Sequence, residues 1–110
     1  MSGLINGHEC LASKFFSIFS GKWSLPILHY LFIANRPIRF TQLHRDLNPI
    51  TQMQLSKYLK ALEQLNLVEK KSYAEIPPRV EYSITDLGKS LDRPLAELSG
   101  WIKQHEKFLK

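Results

Sequence analysis

At 110 residues the chain has room for one domain, residues 1–110, and its 44% hydrophobic and 11% aromatic content is enough to fill a core. No apolar run approaches the roughly 20 residues that a membrane-spanning helix needs, so no membrane partner is expected. Lysine and arginine outnumber aspartate and glutamate 15 to 10, and the net charge of +5 favours a polyanionic partner without requiring one.

The opening MSGLINGHE lacks the basic and apolar segments of a secretory leader. A single cysteine leaves no internal disulfide framework. Both point to the reducing cytoplasm. Residues 1–9 are read as a frayed, flexible end. From Cys10 to Ser20 the pattern predicts a short helix, with Leu11, Phe15, Phe16, Ile18 and Phe19 on more than one face. A surface helix of a monomer needs one apolar stripe. The surplus points to a second buried contact, either a partner subunit or a second neighbouring helix of the same chain.

Gly21 breaks this helix, and a second is predicted from near Lys22 to about Phe32. Pro26 fits its first turn, where a missing N–H has no intrahelical partner to lose. Trp23, Leu25, Ile27, Leu28, Leu31 and Phe32 surround this helix, which makes it the central core helix. Asn35-Arg36-Pro37 reads as a turn and Ile38-Arg39-Phe40 as a short extended piece. Thr41 is expected to cap a helix to about Leu47, with Leu43 and Leu47 inward.

Pro49 rules out a continuous helix and predicts a turn. Thr51 then caps an amphipathic helix whose core stripe is Leu55, Leu59, Leu62 and Asn66, with Tyr58 and Leu65 beside it. Its opposite face carries Met53, Gln54, Ser56, Lys57, Lys60 and Gln64. Asn66 suits the left-handed position after the last turn. Val68–Tyr73 and Val80–Ile84 are the strands of a hairpin, since Val80, Tyr82 and Ile84 alternate with polar residues. The intervening loop, residues 74–78, is too long for a tight turn and is expected to project as a wing. Thr85-Asp86 caps a last helix with Leu87, Leu91, Leu95, Leu98 and Ile102 on one face, extended by Trp101 and Phe108. Pro94 is expected to kink this helix or break it in two. The fold class is therefore mainly α with a small β-hairpin, a winged helix-turn-helix. Its flanking segments, residues 10–20 and 86–108, are candidates for a homodimer interface.

In that fold the first half of the second helix of the pair enters the major groove of DNA. Gln52, Gln54, Ser56 and Lys57 occupy that half. Glutamine can pair bidentately with adenine and lysine can reach guanine or phosphate, while Met53 can meet a thymine methyl group. Thr51 sits at the same helix start, and Lys60, further along, suits a phosphate. Arg79 on the wing suits the minor groove or a phosphate, or else an ion pair with Glu75 or Glu81 that holds the hairpin. Lys22 near a helix N-terminus, with Arg39 and Thr41, completes the set of phosphate candidates. Cys10 begins a helix, a position that favours the thiolate, although Glu9 opposes this; the alternative is a buried, inert cysteine. His8, His29, His44 and His105 are scattered, and no metal-ligand spacing, phosphate loop or nucleophile elbow appears, so neither an enzyme nor a cofactor is expected.

Several stretches taken together resemble the HxlR-type winged helix-turn-helix regulators of bacteria. They are Gly21-Lys22-Trp23, Arg39-Phe40-Thr41-Gln42-Leu43, the run from Leu55 to Glu63, Leu67-Val68 and, above all, the run from Ile76 through Gly88. Cys10 upstream of the Gly-Lys-Trp motif fits the same pattern, and the likeness extends to His105. The resemblance implies a homodimer held by its N- and C-terminal helices, acting on nearby genes through a two-fold double-stranded DNA operator. It also implies, as in several members, an N-terminal cysteine that senses small electrophiles or oxidants. The chain departs from the pattern at Leu11, where a proline is usual, at Asn66, where a glycine is usual, and at Gln52-Met53-Gln54, so an operator sequence does not carry over.

The expectation is thus a cytoplasmic, homodimeric, sequence-specific DNA-binding regulator. Its recognition helices would sit about one helical turn of DNA apart, roughly 34 Å, with spacing open to change at Cys10. Two alternatives stand beside it: a ligand-responsive regulator in which Cys10 is structural, and a winged-helix protein-interaction module without DNA specificity.

Overall fold

A computed structural model describes residues 10–109, so the expected fraying of residues 1–9 lies outside the described residues. In chain order the elements are α1 (Leu11–Ile18), α2 (Ser24–Ala34), β1 (Ile38–Arg39), α3 (Phe40–Asp46), α4 (Gln52–Gln64), β2 (Val68–Tyr73), β3 (Arg79–Ile84), α5 (Asp86–Lys89) and α6 (Asp92–Gln104), followed by a 3-10 turn at Glu106–Leu109. Among the described residues no helix is long and apolar enough to cross a membrane.

The core forms where α2 crosses α4. Ile27 and Leu31 of α2 and Leu55, Leu59 and Leu62 of α4 are wholly buried, joined by Ile38 and Leu43. The 3.6-residue period of α4 puts its leucines on one side and leaves its polar residues outward. At its end Asn66 adopts φ 60°, the left-handed position expected of it, and Asn35 does the same after α2 at φ 50°. The sheet has the order β1-β3-β2, antiparallel throughout. Tyr82 of β3 sits at its centre, opposite Ile38 on one side and Lys70 on the other, and is buried.

Five expectations change. The extended piece at Ile38-Arg39 pairs with β3, which adds a third strand to the hairpin. Because that strand runs straight into α3, the cap is Arg39, without a side-chain hydrogen bond, and Thr41 lies in the first turn instead. α2 begins at Ser24 and ends at Ala34, two residues later at each end than its pattern suggested. The last helix does break, but at residues 90–91, so Pro94 falls in the first turn of α6, where its lost N–H costs nothing. Leu87 does not face the core with Leu91 and Leu95; it is 54% exposed, because the short α5 turns Gly88 inward against Leu67.

α1 and α6 contain no buried residue. Leu11 and Phe16 on α1 and Leu98 and Trp101 on α6 are exposed in the single chain. The apolar surplus expected of these two helices therefore lies on the surface. Phe15 and Phe19 stack at 5.2 Å and anchor α1 to the core.

Candidate nucleic-acid interface

α4 starts with a capping box. The Thr51 hydroxyl accepts from the Gln54 backbone N–H at 3.1 Å, and Gln54 Oε1 accepts from the Thr51 backbone N–H at 3.0 Å. Two otherwise orphaned donors are satisfied, which fixes the helix start. Thr51 is thus occupied as the cap. Gln54 cannot pair bidentately with adenine while its carbonyl oxygen serves the cap, since that pairing needs both ends of the amide. Gln52, Met53, Ser56, Lys57 and Lys60 are exposed, Met53 at 82%, and their side chains have no hydrogen bond or ion pair to other described residues.

Helix α3, which crosses ahead of α4, is tied to α2. Tyr30 of α2 donates a short hydrogen bond to Asp46 and accepts one from Gln42 Nε2 at 3.4 Å. The bond to Asp46, aided by burial, raises the Tyr30 pKa above its ordinary 10.0. Burial, with the nearby Glu63 carboxylate, does the same for Tyr82 at the centre of the sheet.

The wing and the helix-turn-helix share a groove. Arg39 and Thr41 enter it from β1 and α3, Ser56 from α4, and Lys70, Pro77, Pro78 and Arg79 from the hairpin, over a floor of Phe40, Val80 and Tyr82. Of these, Arg39, Lys70 and the Thr41 hydroxyl, beside an apolar floor, suit a phosphate backbone. The structure thus brings together Arg39, Thr41, Ser56 and Arg79. It also adds Lys70, which sequence reasoning missed. Lys70 reaches the groove because its strand lies opposite Tyr82 in a sheet that also contains β1, a pairing across thirty residues and more.

Arg79 is held within the wing. Its Nη2 lies 3.1 Å from Glu75 and its Nε 3.6 Å from Glu81. Its guanidinium carbon is 3.9 Å from the centre of the Tyr73 ring, and Tyr73 donates to Glu81 at 3.3 Å. The hairpin brace that stood as the alternative for Arg79 is therefore present, and it uses both Glu75 and Glu81 where one was proposed. Lys22 stands apart from the groove-lining residues. It lies before the Trp23 cap of α2, with Nζ 5.6 Å from the Trp23 ring centre. The preceding Gly21 has φ 87° and packs directly on the Tyr58 ring of α4. This links the α1–α2 turn to α4.

Cys10 is the N-cap of α1. Its Sγ accepts from the Ser13 backbone N–H at 3.4 Å, and the residue is half-buried.

Comparison with known proteins follows the same outline. The family description HxlR-like helix-turn-helix matches residues 18–108. An uncharacterised HTH-type transcriptional regulator of Halalkalibacterium halodurans is 45% identical over 85 residues, which is 77% of this chain and 74% of that protein. The solved reduced form of the transcriptional regulator YodB from Bacillus subtilis superposes with a TM-score of 0.73 at 31% identity, covering 87% of this chain and 93% of its own. The redox regulator HypR in its reduced form superposes with a TM-score of 0.70 at 26% identity, covering 89% and 95%. With a helix-turn-helix, a wing and an exposed polar helix face in place, the chain belongs to the HxlR-like helix-turn-helix family, as a winged-helix transcriptional regulator and not an enzyme.

Proposed function

We propose that the protein is a homodimeric, sequence-specific DNA-binding regulator of the cytoplasm. The observation that carries this is the unpartnered face of α4 beside the cationic groove under the wing. Gln52, Met53, Ser56 and Lys57 meet base edges in the major groove. Arg39, Thr41, Lys70 and Lys60 hold the flanking phosphates, and Lys22 adds a charge at the end of α2. Thr51 and Gln54 fix the entry of the helix, and Arg79 shapes the wing. The exposed apolar residues of α1 and α6 form the dimer interface.

Cys10 is the proposed switch. It caps a helix of that interface, and two similar solved structures are reduced forms of their proteins, one of them the redox regulator HypR. Addition of an electrophile at Sγ, or exchange of its thiolate with a small disulfide that leaves a mixed disulfide and releases one thiolate, weakens the acceptor for the Ser13 N–H and bulks the interface, which changes the spacing of the recognition helices. A second reading, a regulator tuned by a non-covalent ligand with a structural Cys10, draws support from an apolar groove of about 500 Å³ between α2 and α6, lined by Leu25, Leu28, Phe32 and Leu95.

The experiment is a titration of the DNA immediately upstream of the protein's own coding sequence against scrambled DNA, before and after a thiol electrophile, with wild type and Cys10→Ser. Preferred binding that the electrophile abolishes only in wild type is expected. An equal response in Cys10→Ser removes the switch and leaves the regulator.

A further inference from the structure

The wing tip is the triplet Ile76-Pro77-Pro78, which carries no charge. Ile76 is fully exposed, at 101% of its reference area. The tip is closed at its base by the ion pair between Glu75 and Arg79, 3.1 Å long, which joins the residues on either side of it. The two prolines fix φ within it. The result is a short, stiff, apolar projection held from below by the Arg79–Glu81–Tyr73 cluster.

Its position and its chemistry aim it at nucleic acid. Pro77 and Pro78 line one groove with Ser56 of α4 and with the cations Arg39 and Lys70, so the tip stands on the same side as the polar face of α4. Two of its three residues lack an N–H, so it has few donors for the acceptors that line the minor groove. What it offers is shape. Arg79, by contrast, is already committed. Turning it toward a phosphate would leave Glu75 and Glu81 unneutralised within reach of the same polyanion.

We infer that Ile76 is a specificity-determining contact that enters the minor groove beside the bases read by α4, with Arg79 as the positioning residue that holds the tip. The inference rests on the regulator reading above. Apolar side chains enter the minor groove by wedging at base steps, and pyrimidine–purine steps open most easily. The operator should therefore prefer such steps at flanking positions to which no hydrogen bond is made. Because the contact neutralises no phosphate, it should not alter the salt dependence of binding.

The test uses duplexes selected from a random pool by the full chain, with affinities measured across a salt series. Ile76→Ser should weaken binding about tenfold, the scale of withdrawing such a side chain from water, and Ile76→Val should stay within about fourfold. Both should keep the wild-type salt slope, and Ile76→Ser should lose the flanking-step preference while the bases read by α4 stay the same. Arg79→Lys keeps the charge but not the planar fork, and it should lose the flanking preference in the same way. Wild-type affinity and preference in Ile76→Ser would overturn the inference. So would a salt slope lower by about one in Arg79→Gln, the mark of a lost phosphate contact. A change of oligomeric state in Ile76→Ser would reassign the tip to a contact between copies. If the wild-type chain selects no sequence, the regulator reading itself falls, and the inference with it. That result is distinct from a selective wild type with an indifferent Ile76→Ser.

Discussion

Gly88→Ala sets two effects of opposite sign against each other. In a helix, alanine is favoured over glycine by about 1 kcal/mol. At Gly88, however, an added Cβ would overlap the Leu67 carbonyl oxygen and press on Ile84 Cγ1. That carbonyl has no room to retreat. It accepts from the Thr85 N–H at 3.0 Å, while the Leu67 N–H donates to Leu62 at 3.0 Å. Thr85 is itself fixed, because its hydroxyl donates to the Asn66 carbonyl at 2.7 Å and accepts from the Gly88 N–H at 2.9 Å. Overpacking against fixed backbone costs about 1–3 kcal/mol, and disturbing the Leu67–Thr85 hydrogen bond adds about 1 kcal/mol. The clash therefore outweighs the propensity gain, and the variant should be destabilised by about 1–3 kcal/mol, lowering the melting temperature by about 4 °C or more. The assay is thermal and urea unfolding at matched protein concentration, since dimerisation would make the midpoint concentration-dependent. A variant as stable as wild type would refute the packing of α5 against the start of β2.

Further outcomes follow from the same geometry. Gly21→Ala combines a positive φ with contact on the Tyr58 ring and should cost about 2 kcal/mol, part of which Tyr58→Ala recovers in a double-mutant cycle by unfolding. Thr51→Ala removes one side of the capping box and should cost about 1 kcal/mol of stability in denaturant titrations. Tyr30 and Tyr82 both have pKa values raised above 10.0 in the fold. The unfolded chain therefore releases these protons first, and their contribution is complete below pH 10 and lost as pH rises through the folded values. Unfolding midpoints should fall above pH 10, and the fall should be shallower in Tyr82→Phe.

What was legible in the sequence was local. The stripe Leu55, Leu59 and Leu62, the Thr51 cap, the left-handed Asn66 and the ends of the hairpin each depend on residues a few positions apart. The partnership of Ile38-Arg39 with β3 spans more than forty residues and has no local marker. Without it the meeting of Arg39 and Lys70 in one groove could not be read. Gln54 shows a different limit. The spacing of Thr51 and Gln54 signals a capping box as well as a base-reading helix face, and only the structure, with Oε1 on the Thr51 N–H, shows the glutamine in the first role. Arg79 carried two readings for the same reason, since an arginine flanked by Glu75 and Glu81 suits a brace as well as a phosphate contact.

In the proposed function, α4 and the groove under the wing recognise a DNA sequence. The most direct measurement is a titration of the full chain, at fixed near-physiological salt, with a duplex chosen from a random pool and a scrambled duplex of equal length. A preference of about a thousandfold or more for the chosen duplex is expected, lost in large part when Gln52 and Lys57 are both replaced by alanine. Equal affinity for the two duplexes, falling with salt alike, would contradict it and leave only the attraction of a basic surface for a polyanion.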